Sequence, residues 1–80
     1  GNDKKARKYL TDALAVNPDG IDPNYFYGDF LFEEGEYDQA EVVLMHALSA
    51  APRAGRELAD SGRREEIRAL LEKVQQNRGG

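Results

Sequence analysis

The 80-residue sequence has no cysteine, no tryptophan and a single histidine, His46. Without cysteine there is neither a disulfide nor a thiolate ligand, and one histidine cannot build a metal site by itself. We therefore expect no metal and no cofactor, and a fold that is stabilised by side-chain packing. The lack of cysteine fits the cytoplasm and the periplasm equally, so it leaves the compartment open.

Long apolar runs are also missing. No run approaches the roughly 20 apolar residues that cross a bilayer, and the start of the chain, residues 1–5, lacks the apolar core of a signal peptide. We therefore expect a soluble chain that does not insert into a membrane. The basic residues between positions 4 and 8 are spread around a helix, which is typical of a solvated face.

Basic residues are absent from the middle of the chain. The net charge is −4, and residues 19–41 contain eight acidic residues and no Lys or Arg. Nucleic-acid binding depends largely on Lys and Arg contacts to phosphates. This distribution argues against a nucleic-acid partner.

Small and aliphatic residues recur at one fixed spacing. Five residues in the first part of the chain are followed by an identical residue 34 positions later. The pairs are Ala6 and Ala40, Leu10 and Leu44, Ala13 and Ala47, Leu14 and Leu48, and Pro18 and Pro52. In each set the apolar residues lie at i, i+4, i+7 and i+8, which is the period of one helix face, and the proline ends the helix. A repeat of this length predicts an all-α fold built of stacked helix pairs.

A further helix is predicted before the second copy. Asp22 is expected to be its N-cap and Pro23 its first residue, so that it spans about residues 23–34. Gly35 then supplies the break, because glycine tolerates the left-handed conformation that ends many helices. The next helix is expected to end near Ala50. Together these residues predict an antiparallel helix-turn-helix unit.

The last part of the chain has a different pattern. Residues 53–55 are predicted to be a linker and residues 56–60 a short helical turn, with Asp60 or Ser61 capping a longer helix. One narrow apolar stripe follows, formed by Ile67, Leu70, Leu71 and Val74. A helix with a single apolar stripe and otherwise charged faces is suited to cap the end of a repeat stack.

Residues 21–52 resemble one complete tetratricopeptide repeat. The residues that carry the resemblance are Tyr27, Gly28, Leu31, Gly35, Glu36, Tyr37, Asp38, Ala40, Leu44, Ala47 and Pro52. Residues 3–18 resemble the second helix of a truncated preceding repeat, and residues 56–64 are similar to the tail of bacterial repeat proteins. The resemblance implies one domain over 1–80, an α-solenoid fragment in which 53–78 form the linker and capping helix. Asn24 departs from the family, which often has a large aromatic residue there, and we expect Phe26 or Phe30 to pack that corner instead.

One face of the first helix of this repeat is the predicted partner site. In the family it lines the concave groove that binds a peptide or a protein helix, and here it carries Asp22, Tyr25, Asp29, Phe32 and Glu33. Aromatic stacking and negative charge would suit a basic or amphipathic segment. In the alternative, Tyr25 and Phe32 pack on a neighbouring repeat or on the C-terminal helix, while the acidic residues pair with Arg53, Arg56 or Arg63.

Catalytic residues are not indicated. Glu33 and Glu34 point about 100° apart on a helix, so they cannot act on one substrate. Ser49, three residues after His46, has no oxyanion hole or orienting carboxylate in the sequence pattern. No glycine-rich phosphate loop is present. The sequence therefore favours a non-enzymatic scaffold that binds a protein or peptide.

A structural role in a larger repeat protein remains the alternative function. The resemblance implies that the apolar side of residues 6–14 lacks the helix that usually precedes it. Exposed apolar patches drive association. We therefore expect self-association through residues 6–14.

Overall fold

The computed structural model describes residues 2–79, which form four α-helices and, within that range, no β-strand. The helices are α1 (Asn2–Val16), α2 (Ile21–Glu33), α3 (Tyr37–Leu48) and α4 (Glu57–Gly79). Neighbouring helices in the chain pack on one another, and α4 also contacts α2. The predicted all-α fold is confirmed.

The α2–α3 hairpin holds much of the core. Leu31, Ala40, Leu44 and Ala47 are all fully buried. Gly28 allows the close approach of the two helices, because a Cβ atom there would lie 2.5 Å from Cδ2 of Leu44. The turn between the helices uses Gly35 at a φ of +77°, a conformation that side chains other than glycine rarely adopt. The sequence pattern had predicted each of these positions.

The start of α2 differs from the prediction. Gly20 is the N-cap, and no side chain caps the helix. Asp22 lies inside the first turn and accepts a hydrogen bond from Nε of Arg63 at 2.9 Å. A negative charge in the first turn is favourable at the positive end of the helix dipole, so Asp22 fits there without being the cap.

Asn24 fills the corner where the family often places an aromatic residue. It is 4% exposed, and its side-chain amide donates to the carbonyl oxygens of Pro18 at 3.0 Å and Gly20 at 2.8 Å. These bonds hold the α1–α2 loop against α2. Neither aromatic residue is seen in this corner: Phe30 stacks on Tyr27, and Phe26 is 47% exposed.

The C-terminal segment forms one long helix. The predicted short turn over 56–60 is wrong, because α4 is continuous from Glu57 to Gly79. The predicted cap at Asp60 or Ser61 is wrong as well. Asp60 is buried in the helix, where its carboxylate accepts hydrogen bonds from the guanidinium of Arg53, which lies just before α4. This pairing compensates for burying the charge, and Gly55, at a φ of +77°, turns the chain between the two residues.

The packing stripe of α4 agrees with the sequence pattern. Ile67 and Val74 are fully buried, and Leu70 and Leu71 are 8% and 6% exposed. These residues belong to the same core as α2 and α3. In contrast, α1 contains no buried residue and, among the helices of residues 2–79, contacts only α2. None of the helices in residues 2–79 is long and apolar enough to cross a bilayer.

Candidate functional site

The predicted partner site lies on α2 beside α4. Its first two residues contact α4 directly. The carboxylate of Asp22 is paired with Arg63 at 2.9 Å and lies 3.8 Å from a guanidinium nitrogen of Arg53. Two of the three arginines named as alternative partners therefore do pair with an acid of this face. Asp22 is an anchor between α2 and the C-terminal segment.

Tyr25 lies under the same arginine. The guanidinium carbon of Arg63 is 4.6 Å from the ring centre of Tyr25 and 4.9 Å from that of Phe26, which is within the range of a cation–π interaction. Burial, followed by the negative charges of Glu66 and Asp29, raises the pKa of the Tyr25 hydroxyl. The ring of Tyr25 therefore lies half-buried between α2 and the Arg63 side chain of α4.

The other three residues continue toward the end of α2. Asp29 and Phe32 are half-buried and Glu33 is exposed. The ring of Phe32 packs on Tyr37 at a centroid distance of 5.7 Å and an angle of 54°. Asp29 and Glu33 take part in none of the ion pairs formed within residues 2–79. The structure thus places the five predicted residues along one helix but divides them into a pair that contacts Arg63 of α4 and a trio whose carboxylates form no ion pair within residues 2–79.

Two residues of α4 contribute to this face: Arg63, which the sequence analysis named only as an alternative ion-pair partner, and Glu66, which it did not name. Arg63 supplies the cation that bridges Asp22 and the two aromatic rings. Glu66 lies 3.4 Å from Arg63 and close enough to Tyr25 to raise its pKa. The signal that could have found them is their spacing of three residues, which puts both on one side of α4.

Another aromatic residue of α2, Phe30, makes a similar contact with α1. Arg7 is paired with Glu36, and its guanidinium carbon lies 5.0 Å from the ring centre of Phe30. The hydrogen bond to Glu36 is the main cause of a raised pKa for Arg7. Arginines of α1 and of α4 therefore each cover aromatic residues of α2.

His46 is an exposed residue that contacts an acidic residue from another part of the chain. Its Nε2 lies 2.9 Å from Oδ1 of Asp19 in the α1–α2 loop. The hydroxyl of Ser49 donates to the carbonyl oxygen of His46 at 2.7 Å, not to the imidazole ring. The contact between His46 and Asp19 joins the α1–α2 loop to α3. Ser49 bonds to the backbone at the end of α3 and does not act on the imidazole.

Each helix packs on the next one along the chain, α2 also contacts α4, and α2 and α3 are joined by a short turn. Such stacking of neighbouring helices is the arrangement of a helical repeat protein. The family model of the tetratricopeptide repeat matches residues 1–73, so the chain belongs to the tetratricopeptide repeat family. A search of curated proteins and a search of solved structures each found no match. The family is generally a protein–protein interaction module, and it is a non-catalytic repeat.

Proposed function

We propose that this chain is a protein–protein interaction scaffold that binds a peptide or a helix of a partner on a concave face formed by α2. The proposed contact residues are Asp22, Tyr25, Asp29, Phe32 and Glu33. The family is non-catalytic, and we propose that this chain likewise has no enzymatic activity of its own.

The trio at the end of α2 is the observation that carries the proposal. Phe32 offers a half-buried ring, and the acidic residues three positions before it and one after it, Asp29 and Glu33, form no ion pair within residues 2–79. Aromatic side chains supply much of the binding energy in protein interfaces, and uncompensated charge gives them specificity. Asp22 and Tyr25 would form the rigid end of the same face, because Arg63 holds them in place.

A charge reversal at Glu33 tests the proposal. Immobilised wild-type protein should capture a partner that the Glu33→Lys variant loses. The Glu72→Lys variant makes the same change at an exposed position of α4 and should retain the partner. The identified partner would then be titrated against all three proteins, with the melting temperature as a check on folding. Equal capture by both variants would argue against this face.

Self-association is the second candidate function, and the exposed side of α1 favours it. Tyr9 is 74% exposed, while Leu10 and Leu14 are only half-buried against the core. A structural segment of a larger helical repeat would use such a face to pack on another helix.

Light scattering over a range of concentrations tests this second candidate. The wild-type protein should form a dimer as its concentration rises, and the Tyr9→Glu variant should remain a monomer because the new charge would have to be buried. A monomeric wild-type protein at high concentration would contradict association through residues 6–14.

A further inference from the structure

The predicted face of α2 repeats its own pattern after seven residues. Asp22 precedes Tyr25 by three positions, and Asp29 precedes Phe32 by three. Seven residues advance a helix by about 10 Å and return to within about 20° of the same direction. The face therefore holds two units of similar chemistry, the first unit (Asp22 and Tyr25) and the second unit (Asp29 and Phe32).

The first unit holds a guanidinium. Arg63 donates from Nε to Asp22 at 2.9 Å, and its guanidinium carbon lies 4.6 Å from the ring centre of Tyr25. Its side chain is 23% exposed, so most of the arginine is withdrawn from water. A carboxylate and an aromatic ring three residues apart on this helix can therefore bind one arginine side chain together.

In the second unit, neither Asp29 nor Phe32 is contacted by an arginine of α4 within residues 2–79. Asp22 contacts Arg63, which is 41 residues later in the sequence. Tyr25 lies near Glu66, also 41 residues later, and the charge of Glu66 raises the pKa of the Tyr25 hydroxyl. Asp29 follows Asp22 by seven residues, and the residue of α4 that follows Arg63 by seven is Leu70. Leu70 is an apolar core residue that is 8% exposed and carries no charge. Within residues 2–79, no basic side chain forms an ion pair with Asp29.

We infer that the second unit, together with Glu33 at its edge, binds the guanidinium of an arginine in a basic segment of a protein partner. This inference rests on the proposed function and specifies the chemistry of the partner. Asp29 accepts from the guanidinium as Asp22 does, and Phe32 provides the ring. Glu33 adds a second carboxylate at the open side. Arginine suits this geometry better than lysine, because a planar guanidinium can stack on a ring and donate to a carboxylate at the same time.

Peptide binding followed by NMR tests the inference. The probe is a capped hexapeptide of alanine with two arginines, and its matched partner has citrulline, an uncharged isostere, in place of both arginines. The arginine peptide should shift the amide resonances of residues 29–33. The citrulline peptide should leave them nearly unchanged, because it lacks the charge that strengthens hydrogen bonds to carboxylates.

Three variants locate the contact. Asp29→Asn should weaken binding of the arginine peptide about fivefold to tenfold, and Phe32→Leu about threefold, as expected for a charged hydrogen bond and a partly exposed cation–π contact. Asp12→Asn removes the same charge from an exposed position of α1 and should change the affinity less than about twofold. The far-UV circular dichroism of each variant shows whether it is folded.

The outcomes separate the inference from the function on which it rests. Equal binding of both peptides at residues 29–33 would overturn the arginine contact while leaving α2 as a binding face. Equal weakening by Asp29→Asn and Asp12→Asn would show a general charge effect and overturn it too. Failure of the arginine peptide to bind also overturns it, whereas the proposed scaffold role depends on whether Glu33→Lys loses the captured partner.

Discussion

Gly28 shows how a single missing side chain sets the distance between two helices. A Cβ atom at this position would lie 2.5 Å from Cδ2 and 2.6 Å from Cγ of Leu44, which is itself fully buried. Gly62 on α4 is the natural comparison, because a Cβ atom there would meet nothing within 4 Å. The same substitution at the two glycines should therefore have opposite effects.

We predict that Gly28→Ala lowers the free energy of unfolding by up to about 2 kcal/mol. Overpacking of about 1–3 kcal/mol outweighs the gain of about 1 kcal/mol in helix propensity. Gly62→Ala should instead raise the free energy of unfolding by about 0.5–1 kcal/mol, since only the propensity changes. Urea unfolding followed by far-UV circular dichroism measures both. Stabilisation by Gly28→Ala would show that Leu44 can move aside.

The ionisation of Asp60 makes the free energy of unfolding depend on pH. Its hydrogen bond from Arg53 outweighs the effect of burial and holds the pKa of the carboxyl below its usual value. A carboxyl with a lowered pKa stabilises the fold above its unfolded pKa of about 3.9, and this contribution is lost as the pH falls through the folded value. The pair should therefore contribute fully at neutral pH.

We predict that Asp60→Asn destabilises the protein at pH 7 and that the difference from wild type shrinks below about pH 4, where the wild-type carboxyl takes up its own proton. Urea midpoints of the two proteins between pH 7 and pH 2.5 measure this difference. Asp12→Asn, at an exposed pair, should show little difference at any pH. A gap between Asp60→Asn and wild type that stays constant would mean that the pairing with Arg53 has no net effect.

At the level of the helix, Arg64 stabilises the end of α3. Two of its guanidinium nitrogens donate to the carbonyl oxygens of Leu48 at 2.6 Å and Ala50 at 2.7 Å. The last carbonyls of a helix lack partners within the helix, and a positive charge there is also favourable for the helix dipole. A residue of α4 thus completes the hydrogen bonding of α3.

We predict that Arg64→Met lowers the free energy of unfolding by about 1–2 kcal/mol, because it removes two hydrogen bonds and keeps much of the side-chain volume. Arg68→Met, one turn further along α4 at an exposed position, should stay within about 0.5 kcal/mol of wild type. Urea unfolding of the three proteins measures the difference. Equal stability of Arg64→Met and Arg68→Met would mean that water replaces the guanidinium at these carbonyls.

The helices were predictable from sequence where local chemistry determines them. The 34-residue spacing located the buried Ala40, Leu44 and Ala47, and Gly35 was expected at the turn, where the structure has it. Periodicity and glycine conformation act over a few residues, so a single sequence contains them. The apolar stripe of α4 was visible for the same reason.

The partners of charged residues were much less predictable. Asp22 and Asp60 both looked like helix caps, because an acidic residue at a helix start usually is one. In the structure they pair with Arg63 and Arg53. The choice between Arg53, Arg56 and Arg63 as partners of Asp22 depends on how α4 docks, which no local pattern encodes. The site residues stay a prediction for the same reason, since a partner's contacts are not in the chain.

At the scale of the whole molecule, the core is shared unequally among the helices. Its buried apolar residues all come from α2, α3 and α4, whereas α1 adds only the half-buried Leu10 and Leu14. Arg7 and its contacts with Glu36 and Phe30 hold α1 in place. Local opening should therefore begin with α1.

We predict that backbone amides of α1 exchange with solvent at least about tenfold faster than those of α2 and α3, because opening α1 exposes little apolar surface. Hydrogen exchange followed by mass spectrometry measures the rates. The Arg7→Met variant should speed exchange in α1 and leave α3 unchanged. Equal protection of α1 and α3 would indicate that α1 is covered, for example by a second copy of the chain.

The concentration of aromatic rings in and just after α2 also decides what optical methods can report. Six of the seven aromatic residues lie between Tyr25 and Tyr37, the sequence has no tryptophan, and Tyr9 on α1 is largely in water. The near-ultraviolet dichroism of this protein therefore comes almost entirely from one segment. Fraying of the first helix would reach that spectrum mainly through Phe30, which Arg7 covers, so a thermal melt recorded at 280 nm would chiefly follow the tyrosines in and just after α2.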